Sequence, residues 1–509
     1  MSKNSAGRGR LHPLAIAPKV TKFPKILSVS NIYGLVERAG PPYHGLYPPV
    51  MAEGAGMARN GLLFIVFALL VASGGALGAA GLGEAEALKG ALTPMGAERA
   101  GNAEGTIPAW TGGYTQADPK YRQGDKRPDP FSADKPLFSI TAANVGAYAA
   151  KLPEGVKALF AKYPTYRMDI YPTRRSAAAP QYVYDNVFQN AVRARAAAEG
   201  IASGVENVVG GIPFPIPKNG HEAVWNHLLA FWGAARETRL STYVVSANGQ
   251  TDLTARYKEV ADFPYYYPNA TPATAGAHYY KTLHVLDAPA GKYGEGYLAW
   301  QPLNIVRDRF AAWRYLPGER RARRGPSLSY DTPDPDASGF QTLDEYYIFF
   351  GGPDRYDFKL VGKAEIYVPY NNNRFYLTPS QAVLGPKHAN PEALRYELHR
   401  VWVVEGALAP GKSHIAPRRR LYIDEDTWLA VYSESWDEEG RLWKVGHGTM
   451  YLMPETPAVI LGSQFVYDLV LGGYVLGFAF NDEAVHYKVT PPRAPAQLAP
   501  EALILGAGR

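Results

Sequence analysis

The chain has 509 residues, 53 basic and 47 acidic, for a formal charge of +6, and no cysteine. Its 46% hydrophobic and 20% charged content excludes wholesale disorder. The missing cysteine excludes disulfides, Cys-ligated zinc or iron–sulfur sites, a thiol nucleophile and a lipid-modified N-terminal cysteine. Residues 1–80 hold eight basic and two acidic side chains, so they carry the whole excess and residues 81–509 balance at 45 of each sign. With that segment set aside, the charge balance points to neither nucleic acid nor an anionic membrane surface as partner. The 35 Tyr, 42 Pro and 51 Gly favour strands and turns.

Residues 1–56 are basic, Pro- and Gly-rich and without hydrophobic period. They are expected to be a disordered extension, or to lie upstream of a true start at Met57 or Met51. Residues 57–80 read as a signal peptide: Arg59, an apolar run from Gly61 to Ala72, then small residues offering cleavage near Gly78 or Ala80. An uncleaved anchor is the alternative, since no charge falls between Arg59 and Glu84. The Gly/Ala-rich second half favours cleavage.

Residues 81–138 read as an extended strap of turn residues. Residues 139–492 read as one domain, and 493–509 as a tail. Within the domain, 139–162 is expected to be helical with a break at Pro153, and 181–204 to be a helix with a polar face. A rigid Gly/Pro connector, 210–220, leads into a helix from His221 to Phe231. That helix carries Val224, Leu228 and Phe231 on one face, with Trp225, Leu229 and Trp232 beside them.

From Arg236 the period becomes two. Strands are expected at 238–246, 254–260, 279–286, 296–300, 305–315 and 320–324. They continue at 359–368, 396–405, 418–424, 427–433 and 442–451. Short turns without intervening helices predict an antiparallel meander. Residues 341–350 read as a short amphipathic turn or helix, and the Gly-interrupted apolar run 459–480 as core strands.

Few motifs of chemistry appear. The phosphate loop and the nucleophile elbow are both absent. His221-Glu222 is followed by His227, six residues on, which places the two imidazoles about 240° apart on a helix. These histidines are expected at a cap or on the surface. Asp331, Asp334 and Asp336 lack the central Gly and distal Glu of a calcium loop. A carboxylate pair for glycoside chemistry is a three-dimensional property and stays open.

What stands out is apolar. Trp225, Leu228, Leu229 and Trp232 lie on one short helix, and Trp313, Tyr315, Trp402 and Trp428 on strands. These eight are the expected contacts for an apolar cargo, against the alternative of a plain core. Arg320, Arg321, Arg323 and Arg324 follow a hairpin turn and read most simply as a strand with exposed guanidinium groups, with contact to an anionic group as the alternative.

The blocks GNAEGTIPAWTGG, GGIPFPIPKNGHEAVWNHLL, QPLNIVRDRFAAWRYLPGERRARRGP, DEYYIFFGGPDRYDFKLVGKAEIYVPYN and RRRLYIDEDTWLAVYSESWDEEGRLW resemble an uncharacterised domain-of-unknown-function family of exported proteobacterial proteins. The likeness runs from Leu92 to Pro492. The family is labelled outer-membrane lipoprotein-sorting protein and is similar to the LolA/LolB-like lipoprotein-carrier superfamily. The resemblance implies an α+β fold, a large curved antiparallel sheet forming an open or half barrel, with helices on its concave face. It implies a periplasmic carrier of lipid, lipoprotein or other hydrophobic cargo, working with an inner-membrane exporter and an outer-membrane partner protein. It implies no catalytic residue, cofactor or metal. Without a lipobox cysteine the carrier is expected to be free of a lipid anchor. Two other readings remain: a structural adaptor of an export assembly, and an enzyme acting on envelope glycan.

Overall fold

The computed structural model describes residues 81–319, 321–325 and 330–507. The expected extension 1–56, the expected signal peptide 57–80 and Arg320 lie outside the described residues. α1 (Leu82–Ala85) opens the strap. β1 (Phe138–Thr141), α2 (Glu154–Lys162) and β2 (Arg167–Ile170) follow, then α3 (Gln181–Arg193), the hairpin β3 (Arg195–Ala197) and β4 (Gly200–Glu206), and α4 (Gly220–Leu228). Next come β5 (Ala235–Val245), β6 (Thr251–Asp262), β7 (His278–Ala288), β8 (Gly296–Pro302), β9 (Ala311–Leu316) and β10 (Arg321–Arg324). The second half holds β11 (Tyr356–Pro369), α5 (Asn373–Leu377), α6 (Ser380–Val383), β12 (Tyr396–Leu408), β13 (Arg418–Asp424), β14 (Ala430–Trp436) and β15 (Leu442–Met453). It closes with β16 (Ala458–Asp468), β17 (Tyr474–Ala479), β18 (Lys488–Val489) and α7 (Pro500–Ala507).

The expected single meander is two. β5–β10 and β11–β17 each pair in sequence order, and β17 zips onto β5 through Tyr474–Val245 and Leu476–Tyr243. One parallel bridge, Tyr396 to Ile170, adds β2 and β1 beside β12. The sheet stays open, with β10 and β11 unpaired to one another among the described residues. The fold is therefore α+β with a large, open, almost wholly antiparallel sheet. β10 is an edge strand, and its exposed Arg321, Arg323 and Arg324 discourage pairing with another chain.

Several boundaries differ from expectation for local reasons. Residues 139–162 divide into β1, a 3₁₀ stretch from Val145 to Lys151 and α2, which starts behind Pro153. The expected helix 181–204 stops at Arg193. Gly200, with φ of 100°, then turns β3 into β4, a backbone that an L side chain rarely adopts. The strand expected from Ile305 starts at Ala311, because Asn304 Oδ1 accepts the N–H groups of Val306 and Arg307 at 3.0 and 2.8 Å and holds a turn. The strand expected from Thr427 starts at Ala430, because Asp424 Oδ2 accepts the N–H of Thr427 at 3.0 Å.

β14, β16 and β17 are buried along their whole length, so this part of the sheet is covered on both faces. One core cluster runs from Ala85 in the strap to Tyr487. A second, on the opposite face of β7–β9, holds Leu283, Leu298 and Tyr315 under Leu498 and Leu503 of the C-terminal segment.

The strap adds no strand to the sheet; side chains of the domain grip it. Arg175 donates to Glu98 O at 2.8 Å and to Arg99 O at 3.2 Å, and forks onto Asp426 at 3.0 and 2.6 Å. Arg400 reaches Ala100 O at 3.0 Å, and Trp428 Nε1 reaches Met95 O at 2.7 Å. Replacing Arg175 with Met would strip a buried carboxylate of its partner. The expected loss is about 3–5 kcal/mol by denaturant unfolding, against under about 0.5 kcal/mol for exposed Arg323→Ala.

Candidate functional site

α4 begins where Asn219 Oδ1 accepts the N–H of Glu222 at 3.0 Å. A Cβ added at Gly220 would lie 2.5 Å from the Phe358 carbonyl carbon, so glycine lets the helix start directly against β11. The helix is fixed at its far end by His227. This histidine, expected at a cap or on the surface, is buried. Its Nε2 donates to Phe349 O at 2.9 Å and its Nδ1 accepts the N–H of Ala430 at 3.0 Å. Burial pushes its pKa down to about 4, so the imidazole is a neutral bracket between helix, β14 and the 349 segment.

Thus held, α4 presents Trp225 and Leu228 to a cavity of about 550 Å³. The opposite wall is β7, β8 and β9. The segment from Leu343 to Pro353 closes a third side with Tyr346, Tyr347 and Phe350. Tyr347 and Ile348 both have positive φ, 49° and 73°, which is strained for a β-branched residue. Three bonds hold them there. Gln464 accepts the N–H of Ile348 at 2.8 Å and donates to Glu345 O at 2.8 Å, and Arg236 donates to Tyr347 OH at 2.9 Å. Val306, Arg309 and Arg324 are lining residues that are also exposed, which marks the mouth.

The β7 wall is polar. Tyr280, Thr282 and His284 alternate on one face and converge on Oε1 of buried Glu259 at 3.1, 3.2 and 3.1 Å. Arg236 forks onto the same carboxylate at 2.8 and 3.0 Å. Burial opposes ionisation of Glu259, but the Arg236 charge and the His284 bond prevail and hold its carboxyl well below the usual range. Asp344, the other carboxylate lining the cavity, is likewise buried. Arg419 and His414 hold its pKa low against that burial.

The structure separates the residues expected to meet cargo. Trp225 and Leu228 line the cavity; Trp313 reaches its mouth beside Arg324, whose guanidinium is 5.7 Å from the ring, but packs against Trp300 and the C-terminal cluster on the far face. Trp232 lies behind the wall, its ring 4.8 Å from that of Tyr347, and Leu229 is in the main core. Tyr315 faces the C-terminal segment on the other side of the sheet. Trp402 and Trp428 stack at 6.1 Å beside the strap. Arg321 and Arg323 stand exposed on β10, the latter paired with Glu319. Glu259, Tyr279, Tyr280, His284 and Gln301 line the cavity without having been singled out from the sequence. The polar alternation Tyr280, Thr282, His284 was the available signal.

A second titratable group lies under the strap. Ligand atoms of His399, Asp424 and Asp426 fall within 4.8 Å of one another, the spacing of a metal site. Their bonds are already committed. His399 meets Asp424 at 3.2 Å and Glu397 at 3.3 Å through its two nitrogens, and Asp426 holds the Arg175 fork. Burial would neutralise this imidazole, but the two carboxylates raise its pKa to about 9. The group is an imidazolium between carboxylates.

The protein belongs to the DUF1329 family, described as protein of unknown function, whose model matches residues 139–504. This agrees with the family expected from the sequence blocks. It is 35% identical over 443 residues to the uncharacterized protein PA3922 of Pseudomonas aeruginosa, covering 86% of this chain and 96% of that one. Among solved structures it is similar to a DUF1329 family protein from Desulfovibrio piger, with 15% identity, 55% and 95% of the two chains covered and a TM-score of 0.38. It is also similar to a putative outer membrane lipoprotein-sorting protein domain from Vibrio parahaemolyticus, with 12% identity, 54% and 92% coverage and a TM-score of 0.37. A LolA superfamily protein, NE2245 from Nitrosomonas europaea, matches with 12% identity, 56% and 98% coverage and a TM-score of 0.31.

The imidazolium gives a pH test. Because the His399 pKa rises on folding, from 6.5 to about 9, its contribution is complete below pH 6.5 and fades as pH rises through 9. His399→Gln should therefore lose about 3 kcal/mol relative to the parent near pH 6 and much less near pH 10, by denaturant midpoints. An equal loss at both would contradict the assignment.

Proposed function

We propose that the protein is an exported, periplasmic carrier that shelters the apolar part of a lipid-like cargo in the cavity between α4 and β7–β9. The observation that carries this reading is the cavity itself, about 550 Å³ walled on one side by Trp225, Leu228 and Phe350. Each methylene buried there contributes about 0.8 kcal/mol, so about ten would supply about 8 kcal/mol before ordering costs. Binding needs no chemistry and is reversible. Arg324 and Arg309 at the mouth suit an anionic group on cargo, or an acidic surface of the exporter or outer-membrane partner that loads and unloads it. Export rests on the signal-like sequence at 57–80, and the expectation of no lipid anchor on the absence of cysteine.

The glycan-enzyme reading is weaker on electrostatic grounds. Glycoside cleavage needs one carboxyl held protonated by a raised pKa, whereas Glu259 and Asp344 are both ion-paired with lowered pKa values. The adaptor reading calls for a filled core, and a cavity of this size does not favour it.

Filling the cavity is the direct test. Ala312 and Ala299 are small residues on its wall. Ala312→Trp or Ala299→Trp should weaken uptake of an environment-sensitive fluorescent fatty acid by about tenfold or more, a loss of at least about 1.4 kcal/mol, with the thermal transition retained. Unchanged probe affinity in a folded variant would contradict the carrier reading.

A further inference from the structure

The cavity has two unlike walls. Trp225, Leu228 and Phe350 are hydrocarbon, whereas the β7–β8 wall carries Tyr279, Tyr280, Thr282, His284 and Gln301. A bulge creates part of this difference. The β7–β8 register shifts between His278 and Tyr280. Adjacent Tyr279 and Tyr280, which a regular strand would send to opposite faces, both line the cavity and both meet Phe350, at 6.3 and 5.3 Å. Tyr280 and Thr282 spend their hydroxyls on Glu259. Tyr279 does not. Its side chain is buried, 4% exposed, and its hydroxyl has no hydrogen-bond partner among the described residues. Gln301, opposite Tyr280 across the strand pair, likewise has an uncommitted amide. His284 Nε2 is committed to Glu259 at 3.1 Å, and its Nδ1 has no hydrogen-bond partner among the described residues.

We infer that the β7–β8 wall, through Tyr279, Gln301 and His284, is a hydrogen-bonding subsite that reads an uncharged polar group, a hydroxyl or amide, on an otherwise apolar cargo. This rests on the carrier reading and narrows it. A plain alkyl chain against this wall would strip water from a hydroxyl, an amide and an imidazole and return nothing, at about 1–3 kcal/mol for each group. A cargo with its own O–H or N–H satisfies them. A carboxylate or phosphate suits the wall poorly, because Tyr279 and Gln301 bring no charge to offset its desolvation and the carboxylate of Glu259 lines the same cavity. Anionic groups belong at the mouth, beside Arg309 and Arg324.

The test uses the full chain with N-phenyl-1-naphthylamine bound as reporter. Dodecanol, dodecanamide, dodecyl methyl ether and dodecanoate then compete for it. The alcohol or the amide should displace the reporter about tenfold better than the ether and the carboxylate. Which of the two ranks first tells hydroxyl from amide cargo. Tyr279→Phe and Gln301→Leu, each confirmed folded by its thermal transition, should cut that advantage to about threefold or less, with ether affinity the same or higher because a polar group it left unpaired is gone. Displacement by all four without ranking, or an advantage that survives both substitutions, would overturn the inference while leaving the carrier reading intact. Displacement by none would contradict both.

Discussion

The buried fork between Arg236 and Glu259 is the interaction on which the cavity depends. Arg236 stands near the start of β5 and Glu259 near the end of β6, and both are almost wholly removed from water. Five aromatic rings, of Trp232, Phe263, Tyr280, Tyr347 and Tyr487, lie within 5.8 Å of the guanidinium carbon. Desolvating two such charges roughly cancels their attraction, so the pair is not a strong source of net stability. Its effect is on arrangement. Glu259 has fixed acceptor positions, so Tyr280, Thr282 and His284 must arrive in one register of β7. Tyr347 must turn inward to receive the second face of Arg236, and that requirement accompanies the strained backbone at residues 347 and 348.

The open sheet explains where a void can persist. Around β14, β16 and β17 both faces are covered and the side chains fill the interior. At β7–β9 one face is packed by the C-terminal segment, while the other looks across to α4. That helix has nine residues and spans only about 13 Å. It is too short to blanket three strands, and its Trp225 is held at the wall by a bond from Nε1 to Ile201 O at 2.7 Å. The polar wall adds to this, because side chains held by Glu259 are not free to collapse inward.

Much of this was legible in the sequence. Period-two alternation located β5–β15, whereas the short strands β1–β4 and β18 were not read from it, and long specific blocks indicated the family. Apolar residues were recognised as buried, but alternation alone does not say which face of a strand meets which neighbour. Tyr315 and Trp402 therefore looked equivalent to Trp225, although one lies under the C-terminal segment and another beside the strap. The polar wall was hidden for the opposite reason. Tyr280, Thr282 and His284 resemble a solvated strand face until Glu259 from the next strand closes over them. The pairing of β17 with β5 joins residues 474 and 245, a separation that local pattern does not encode, so one meander was expected where two exist. The bulge at Tyr279 is likewise a consequence of pairing.

The central claim is that this cavity holds an apolar molecule with a polar group. The most direct measurement is native mass spectrometry of the protein purified from its own cells, followed by denaturing extraction. The account predicts one amphiphile per chain, released on unfolding and bearing a hydroxyl or amide. A bare chain that also fails to take up a fluorescent acyl probe would contradict it.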